Sequence, residues 1–454
     1  MSSVAFITLG CAKNEVDTDV MRAQILAAGH ALVEDPAEAD VVVVNTCAFI
    51  VEATEEAIAT ILEATTLPRV AAGEARLIVA GCLPSRYERS KLASELPEVT
   101  AFLSVENESD LLKLIDGAAS VSDTTGHLRT VRAPWAYLKI AEGCDRFCSF
   151  CTIPSIRGRY TSRPAADIIA EAEALVAGGV RELVLIAQDT GRWSGDVDAG
   201  PAHTLPQLLD LLATHLPTTW LRVMYLQPSG ITDELLTVMA AHTNICDYLD
   251  IPLQHASARV LRAMNRKGSG EEYLALLERI RVALPAVTLR TTVIAGFPGE
   301  TRAEARELER FIAEADFDYV GVFPYSPEEG TVAGARRDQV PRRTRLARAQ
   351  RLRDIADTVG FARWAMRIGS RLEVLVTEYD DEDPDIPDDG KGKNSAARVG
   401  VSPPRMLGRT KGQAPEVDGM VHLAVGSVGE LVSVRISESC CYDLFAEADE
   451  SAHG

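Results

Sequence analysis

Long apolar runs are missing from this 454-residue sequence. No uncharged apolar stretch approaches the ~18 residues that a membrane span requires. The start, MSSVAFITLGCAKNE, carries no basic segment ahead of its apolar residues, so a secretory leader is not expected and the chain reads as cytoplasmic. Positive charge is scarce too: 46 Lys and Arg against 66 Asp and Glu leave a net charge of -20. That balance argues against wholesale binding of nucleic-acid phosphates and favours a basic partner. No internal repeat of solenoid type is present. What remains, at 46% hydrophobic and 25% charged residues, is an ordinary globular composition with room for about three domains.

A further absence concerns metal ligands. The stretch EGCDRFCSFCTIPSIRGR places Cys144, Cys148 and Cys151 as CxxxCxxC, whereas structural zinc and ordinary iron-sulfur clusters usually take four protein ligands. The downstream histidines, in HTLPQ and QHAS, lack the paired spacing of a zinc module. The chain has nine cysteines, and in a reducing compartment grouped cysteines point to metal or redox chemistry rather than disulfides. The better reading is a 4Fe-4S cluster on three thiolates, with one iron left open to a small molecule.

Residues 1 to about 105 alternate apolar runs with amphipathic stretches: VAFITL, NEVDTDVMRAQILAAG, VVVVN, a helical pattern through Ile61, and LIVAG. Near-continuous Val, Ile and Leu runs are the mark of a parallel α/β sheet buried on both faces. Cys11, Cys47 and Cys82 each follow one of these predicted strands. In an open α/β sheet the carboxyl ends of the strands share the ligand-binding edge, so the three thiols are expected to converge. From Trp135 to about Tyr325 the alternation restarts as about six βα units, which suits a partial barrel better than a full eight-unit one of ~250 residues. The CxxxCxxC loop follows its first strand.

A basic stretch, VPRRTRLARAQRLRDIADTVGFARWAMR, reads as a solvated linker helix, and β character follows from Leu372 to Phe445. DDEDPDIPDDGKGKNSAARVGVSPPR, around Asp380 to Pro404, reads as an insertion between strands. The expected architecture is α/β: an N-terminal open-sheet domain at 1–120, a partial (βα)6 barrel at 130–335, a basic helical linker at 336–366 and a small β domain at 367–454.

With these residues in view, the chain resembles the radical S-adenosylmethionine (SAM) methylthiotransferases. The resemblance covers nearly the whole chain. It rests on LGCAKNEVDTD, NTCAFIVEATEEA, GCLPSRY, EGCDRFCSFCTIPSIRGRYTSRP, YLDIPLQHAS and VGVFPYSPEEGT. It implies one 4Fe-4S cluster on Cys11, Cys47 and Cys82 and a second on Cys144, Cys148 and Cys151, whose open iron is chelated by SAM. It also implies a terminal substrate-recognition domain of the TRAM type, and an electron donor such as flavodoxin or ferredoxin. Phe147 and Phe150 would shield the second cluster.

Within that family the motifs resemble the branch that modifies an aspartate of small-subunit ribosomal protein S-twelve, rather than the branch acting on adenosine in transfer RNA. Charge agrees independently. From Arg367 to Gly454 there are 9 Lys and Arg against 17 Asp and Glu, the wrong sign for gripping RNA and the right one for a basic ribosomal protein. Arg157, Gln188, Asp189 and Gly296 are candidates to line a SAM pocket, with a turn role equally open for the glycine. Cys246, Cys440 and Cys441 have no ligand-like context. The reading from another class is a non-catalytic iron-sulfur scaffold or redox sensor.

Overall fold

The computed structural model describes residues 1–116, 129–130, 132–194, 202–379 and 406–447. The acidic insertion expected around Asp380 to Pro404 lies outside the described residues. Among the described residues, no helix is long and apolar enough to cross a membrane.

The N-terminal sheet has five parallel strands in the order β2-β1-β3-β4-β5: β1 Ser3–Thr8, β2 Ala31–Leu32, β3 Val41–Thr46, β4 Arg76–Gly81 and β5 Ala101–Ser104. Every residue of β3, VVVVNT, is buried, as a central strand covered on both faces requires. The strand order reverses between β1 and β3, so a crevice opens at the carboxyl end of this pair.

Six parallel strands form the partial barrel. β6 Trp135–Lys139, β9 Glu182–Ile186 and β10 Trp220–Val223 make one half, with β11 Tyr248–Asp250, β12 Thr288–Ala295 and β13 Tyr319–Pro324 making the other. A parallel bridge from Leu221 to Ile245 links the halves. Between β6 and β9 a short antiparallel pair, β7 Ala141–Glu142 and β8 Thr161–Ser162, clamps the two ends of the CxxxCxxC loop. The chain then closes a five-stranded barrel in the order β14-β15-β16-β18-β17, from Arg371–Tyr379 (β14), Met406–Thr410 (β15), Val421–Leu423 (β16), Leu431–Cys440 (β17) and Asp443–Glu447 (β18).

The basic helix Arg342–Ala365 corrects one expectation. It is no solvated linker: Ala349, Leu352, Ala356, Gly360 and Trp364 are buried along one face. Its arginines serve the barrel, as when Arg353 donates to the Val322 carbonyl at 2.9 Å and Arg363 pairs with buried Asp318 at 2.9 Å. A high density of arginine hid this face, because long basic side chains cover apolar surface while keeping their charges at its rim.

One apolar cluster runs through all three regions. It joins Ala12 and Val16 of the first helix, Val184, Ile186, Trp220 and Tyr248 on barrel strands or their ends, and Val374, Leu375, Val421 and Leu444 of the terminal barrel. At its edge Glu182 of β9 accepts from Arg222 and faces Arg409 of β15, each at 2.7 Å, with all three side chains at most 1% exposed. The terminal barrel is therefore fixed against the open side of the partial barrel by packing and a fully buried ion triad.

Candidate functional site

Each of the first three cysteines stands at the carboxyl end of a parallel strand. Cys11 precedes the helix Ala12–Ala27 after β1, Cys47 directly follows β3, and Cys82 opens the short helix Cys82–Arg86 after β4. Gly10, at φ +106, lets the first loop press on the second: a Cβ there would lie 2.7 Å from Cys47 Cβ. Asn14 holds the loops together by donating to the carbonyls of Leu9 at 2.8 Å and Thr46 at 2.9 Å. Asn45 answers by donating to the Asn14 carbonyl at 3.0 Å.

The third thiol joins the same side chain, Cys82 Sγ lying 3.6 Å from Asn14 Oδ1, so Asn14 touches all three cysteine loops. Burial pushes Cys82 up to about 12, with the nearby Cys47 and Cys11 adding to the rise and Arg157 opposing it. Cys47 is likewise raised by burial, against a backbone N–H from Phe49. Thiols crowded in this way are reluctant to ionise alone and release their protons when a cationic centre binds them.

The second triad sits on a loop with little freedom. Gly143, at φ +76, has no space for a side chain because the Arg159 carbonyl abuts it. Ser149 donates its backbone N–H to Met264 at 3.0 Å and its hydroxyl to Ala263 at 2.8 Å, and Asn265 donates to the Phe147 carbonyl at 3.0 Å. The Ile153 N–H points at Cys151 Sγ at 3.4 Å, and Arg266 lies 3.9 Å from Cys148 Sγ. Burial pushes Cys151 up to about 12, and Cys148 and Cys144 add to the rise. Phe150 packs against the barrel core, whereas Phe147 is 52% exposed and sits at φ +48.

The two cysteine loops touch. Thr152, next to Cys151, donates to the carbonyl of Phe49, two residues beyond Cys47, at 3.1 Å. Arg157 extends from the second loop into the first site: its Nη2 donates to Asn14 Oδ1 at 2.5 Å and lies 3.6 Å from Cys82 Sγ. Its Nη1 pairs with Asp17 at 2.7 Å and Glu142 at 3.2 Å. Against the cost of burial, Lys139 and Arg157 hold the Glu142 carboxyl well below its usual range. Glu328, beyond β13, fastens the domains from the other side, accepting from Arg86 at 2.8 Å and the Val51 N–H at 3.0 Å.

Of the four residues expected to line a SAM pocket, Arg157 and Gln188 meet at Glu142, while Asp189 and Gly296 have partners of their own. Arg157 belongs to the junction just described. Gln188 donates to Glu142 at 2.5 Å and leaves its buried Oε1 without a partner. Asp189 pairs with Arg146 of the cysteine loop at 2.5 Å. Gly296, at φ +77, donates to Glu300 at 2.6 Å and packs against Arg345, which is a backbone and packing role. Cys246 is buried in the apolar cluster, and Cys440 and Cys441 are exposed.

Several residues of the site were not singled out from the sequence. A cavity of ≈ 750 Å³ beside the second loop is lined by Arg146, Gln227, Asn265 and Arg266, among others. Gln227 Oε1 is buried and unpartnered there. Lys13, 7% exposed, stacks its Nζ 3.0 Å from the centre of the Tyr225 ring. Burial lowers it to about 8, opposed by Cys11 and Asp250, so it remains cationic at neutral pH. Lys13 and Asn14 were visible only as letters within LGCAKNE, and their partners come from strands far along the chain.

Among the described residues, no three His, Cys, Asp or Glu side chains gather closely enough for a single ion. Two sets of three convergent thiols, each with N–H or guanidinium donors at hand, suit instead a cluster whose irons spread the thiolates apart. An orphaned amide oxygen in a cavity bordering the second set suits a polar ligand such as SAM.

Known proteins agree with that chemistry. Residues 3–104 match the uncharacterized protein family UPF0004, 138–312 the radical SAM superfamily and 400–448 the TRAM domain. A ribosomal protein uS12 methylthiotransferase RimO from Syntrophus aciditrophicus is 42% identical, covering 99% of each chain. The chain belongs to the RimO methylthiotransferase family. A RimO from Sorangium cellulosum is 40% identical over 99% of this chain and 92% of its own. The RimO of Trichlorobacter lovleyi is 38% identical over 98% of each. The fold recurs in the radical SAM methyltransferase TsrM from Kitasatospora setae, with a TM-score of 0.52 at 17% identity, covering 72% of this chain and 77% of that one. As a RimO-family member the chain is a radical SAM enzyme, and SAM and a 4Fe-4S cluster follow from that membership.

Proposed function

We propose that this chain replaces a hydrogen on the β-carbon of one aspartate of ribosomal protein uS12 with a methylthio group, in the cytoplasm. Cys144, Cys148 and Cys151 hold the 4Fe-4S cluster at which SAM binds, and Cys11, Cys47 and Cys82 hold a second. The observation that carries this reading is the contact between the two cysteine loops through Thr152 and Phe49 and through Arg157 and Cys82. A sulfur source and a radical source must reach the same carbon, and direct contact between the two loops supports that requirement.

When bound, these groups supply a one-electron cleavage of SAM and a transferable sulfur; the protein supplies position. Three thiolates come from strand ends and three from the loop between β7 and β8, and Arg157 of that loop reaches Asn14 and Cys82 of the first site. Gln227 offers an acceptor to a donor on SAM, and the dry interior keeps water from a reactive carbon. uS12 as the target is supported by the RimO relatives, whose names give it as the protein acted on, and by the excess of acidic residues from Arg367 onward, which suits a basic protein; the choice of an aspartate rests on the family resemblance alone. An electron donor such as flavodoxin or ferredoxin completes the reading.

The test is mass spectrometry of uS12 and of transfer RNA after reaction with reconstituted enzyme, SAM, sulfide and reductant. Methylthiolated uS12 supports the proposal. Methylthiolated adenosine with unmodified uS12 contradicts it.

A further inference from the structure

The ammonium of Lys13 is a buried charge for which the site as described gives no use. It follows Cys11 by two residues, at the start of the helix Ala12–Ala27. Among the described residues its Nζ makes no hydrogen bond or ion pair, and it lies over the face of Tyr225. A cation on an aromatic face keeps part of its stabilisation, and Cys11 and Asp250 lie near enough to favour the charged form, but a desolvated ammonium without a direct ion pair still carries a cost of burial.

The surroundings place it between the two halves of the site. Tyr225 lies just past β10, at φ +63, and its N–H donates to Asp250 Oδ2 at 3.2 Å. Asp250, at the end of β11, has its buried Oδ1 3.8 Å from Arg290 Nε. Lys13 thus reaches from the first cysteine loop to the carboxyl ends of two barrel strands.

We propose that Lys13 binds the side-chain carboxylate of the substrate aspartate, so that it is a specificity-determining residue for the acidic side chain. The inference rests on the reading of uS12 aspartate as the target. A carboxylate bonded directly to the reacting carbon would exchange water for Lys13 and fix the β-carbon relative to both cysteine loops. An amide of equal size would leave the ammonium uncompensated, and a nucleobase carries no anion to offer. The site therefore discriminates by charge where shape alone could not.

The test uses the reconstituted full chain and two uS12 peptides, one with the native aspartate and one with asparagine in its place. Wild type is expected to bind the aspartate peptide on the order of 30–100-fold more tightly than the asparagine peptide, a range typical of losing one partner of a buried charge pair. Lys13→Met should bring the two affinities together while keeping wild-type iron content and cluster absorption. Lys13→Arg should restore part of the preference.

Equal affinities in wild type would overturn the inference even if the enzyme methylthiolates uS12. Loss of iron in Lys13→Met, with the peptide preference intact in the loaded fraction, would overturn it in favour of a cluster-supporting lysine. Failure of wild type to modify uS12 at all, with adenosine modified instead, would remove the functional reading and the inference with it.

Discussion

The hydroxyl of Thr152 donates to the carbonyl of Phe49 at 3.1 Å. One residue belongs to the loop that carries Cys151 and the other to the loop that carries Cys47, so this bond joins the two cysteine loops directly. The thiols nevertheless remain separate sets, because each triad is rooted in its own sheet.

Separate sets should fail separately. Cys47→Ala is expected to lose about half of the bound iron while the protein still cleaves SAM. Cys144→Ala should lose a similar amount and abolish cleavage. Iron analysis and deoxyadenosine release check both, and equal loss of cleavage in the two variants with the fold intact would show one site.

Gly81 predicts a backbone version of the same result. It sits at φ +90, and a Cβ there would drive into the Asn45 side chain and lie 2.8 Å from the Thr46 carbonyl. Gly81→Ala is expected to displace Cys82 and cost on the order of 1–3 kcal/mol of stability. Iron should fall at the first site alone, which absorption and iron analysis of the reconstituted variant can read.

The ion triad predicts how the terminal barrel is held. Glu182→Gln leaves Arg222 and Arg409 buried without their carboxylate, a change that typically costs about 3–5 kcal/mol. Denaturant unfolding should show an early transition, and limited proteolysis should release the terminal barrel. Unchanged unfolding would mean that the apolar cluster alone fixes this interface.

A pH dependence follows from Glu15, which burial and the neighbouring Glu416 push up to about 7, Asp19 adding to the rise and Arg129 opposing it. Tyr137 also donates to Glu416 at 2.8 Å. A carboxyl raised on folding contributes stability that is full below its unfolded pKa and is lost as pH rises through its folded value. Contact between the first helix and the terminal barrel should therefore weaken from about pH 5 to pH 8. Glu15→Gln should remove that slope and add roughly 1 kcal/mol at pH 8 once solvent screening is allowed for. Denaturation midpoints at the two pH values decide it.

Much of this was legible in the residues. VVVVN and LIVAG announced buried parallel strands, and the cysteines behind them announced a shared edge, because strand ends of an open sheet lie on one side. The spacing of Cys144, Cys148 and Cys151 carried its own meaning. Arg157 was legible as important but not in its place: only folding brings the end of one loop to Asp17 and Cys82. Gly296, read as a pocket or turn residue, also makes room for Arg345, a contact with a helix that the sequence suggested was solvated. Periodicity reports which face is apolar, and it says little about which distant charges will be buried together.

The most direct test of the central claim is tandem mass spectrometry of uS12 incubated with the reconstituted enzyme, SAM, sulfide and a low-potential reductant. The account predicts one aspartate heavier by the replacement of a β-hydrogen with a methylthio group, absent with either Cys47→Ala or Cys144→Ala. Unmodified uS12 under conditions where SAM is cleaved, or modification that survives the loss of either cysteine, would contradict it.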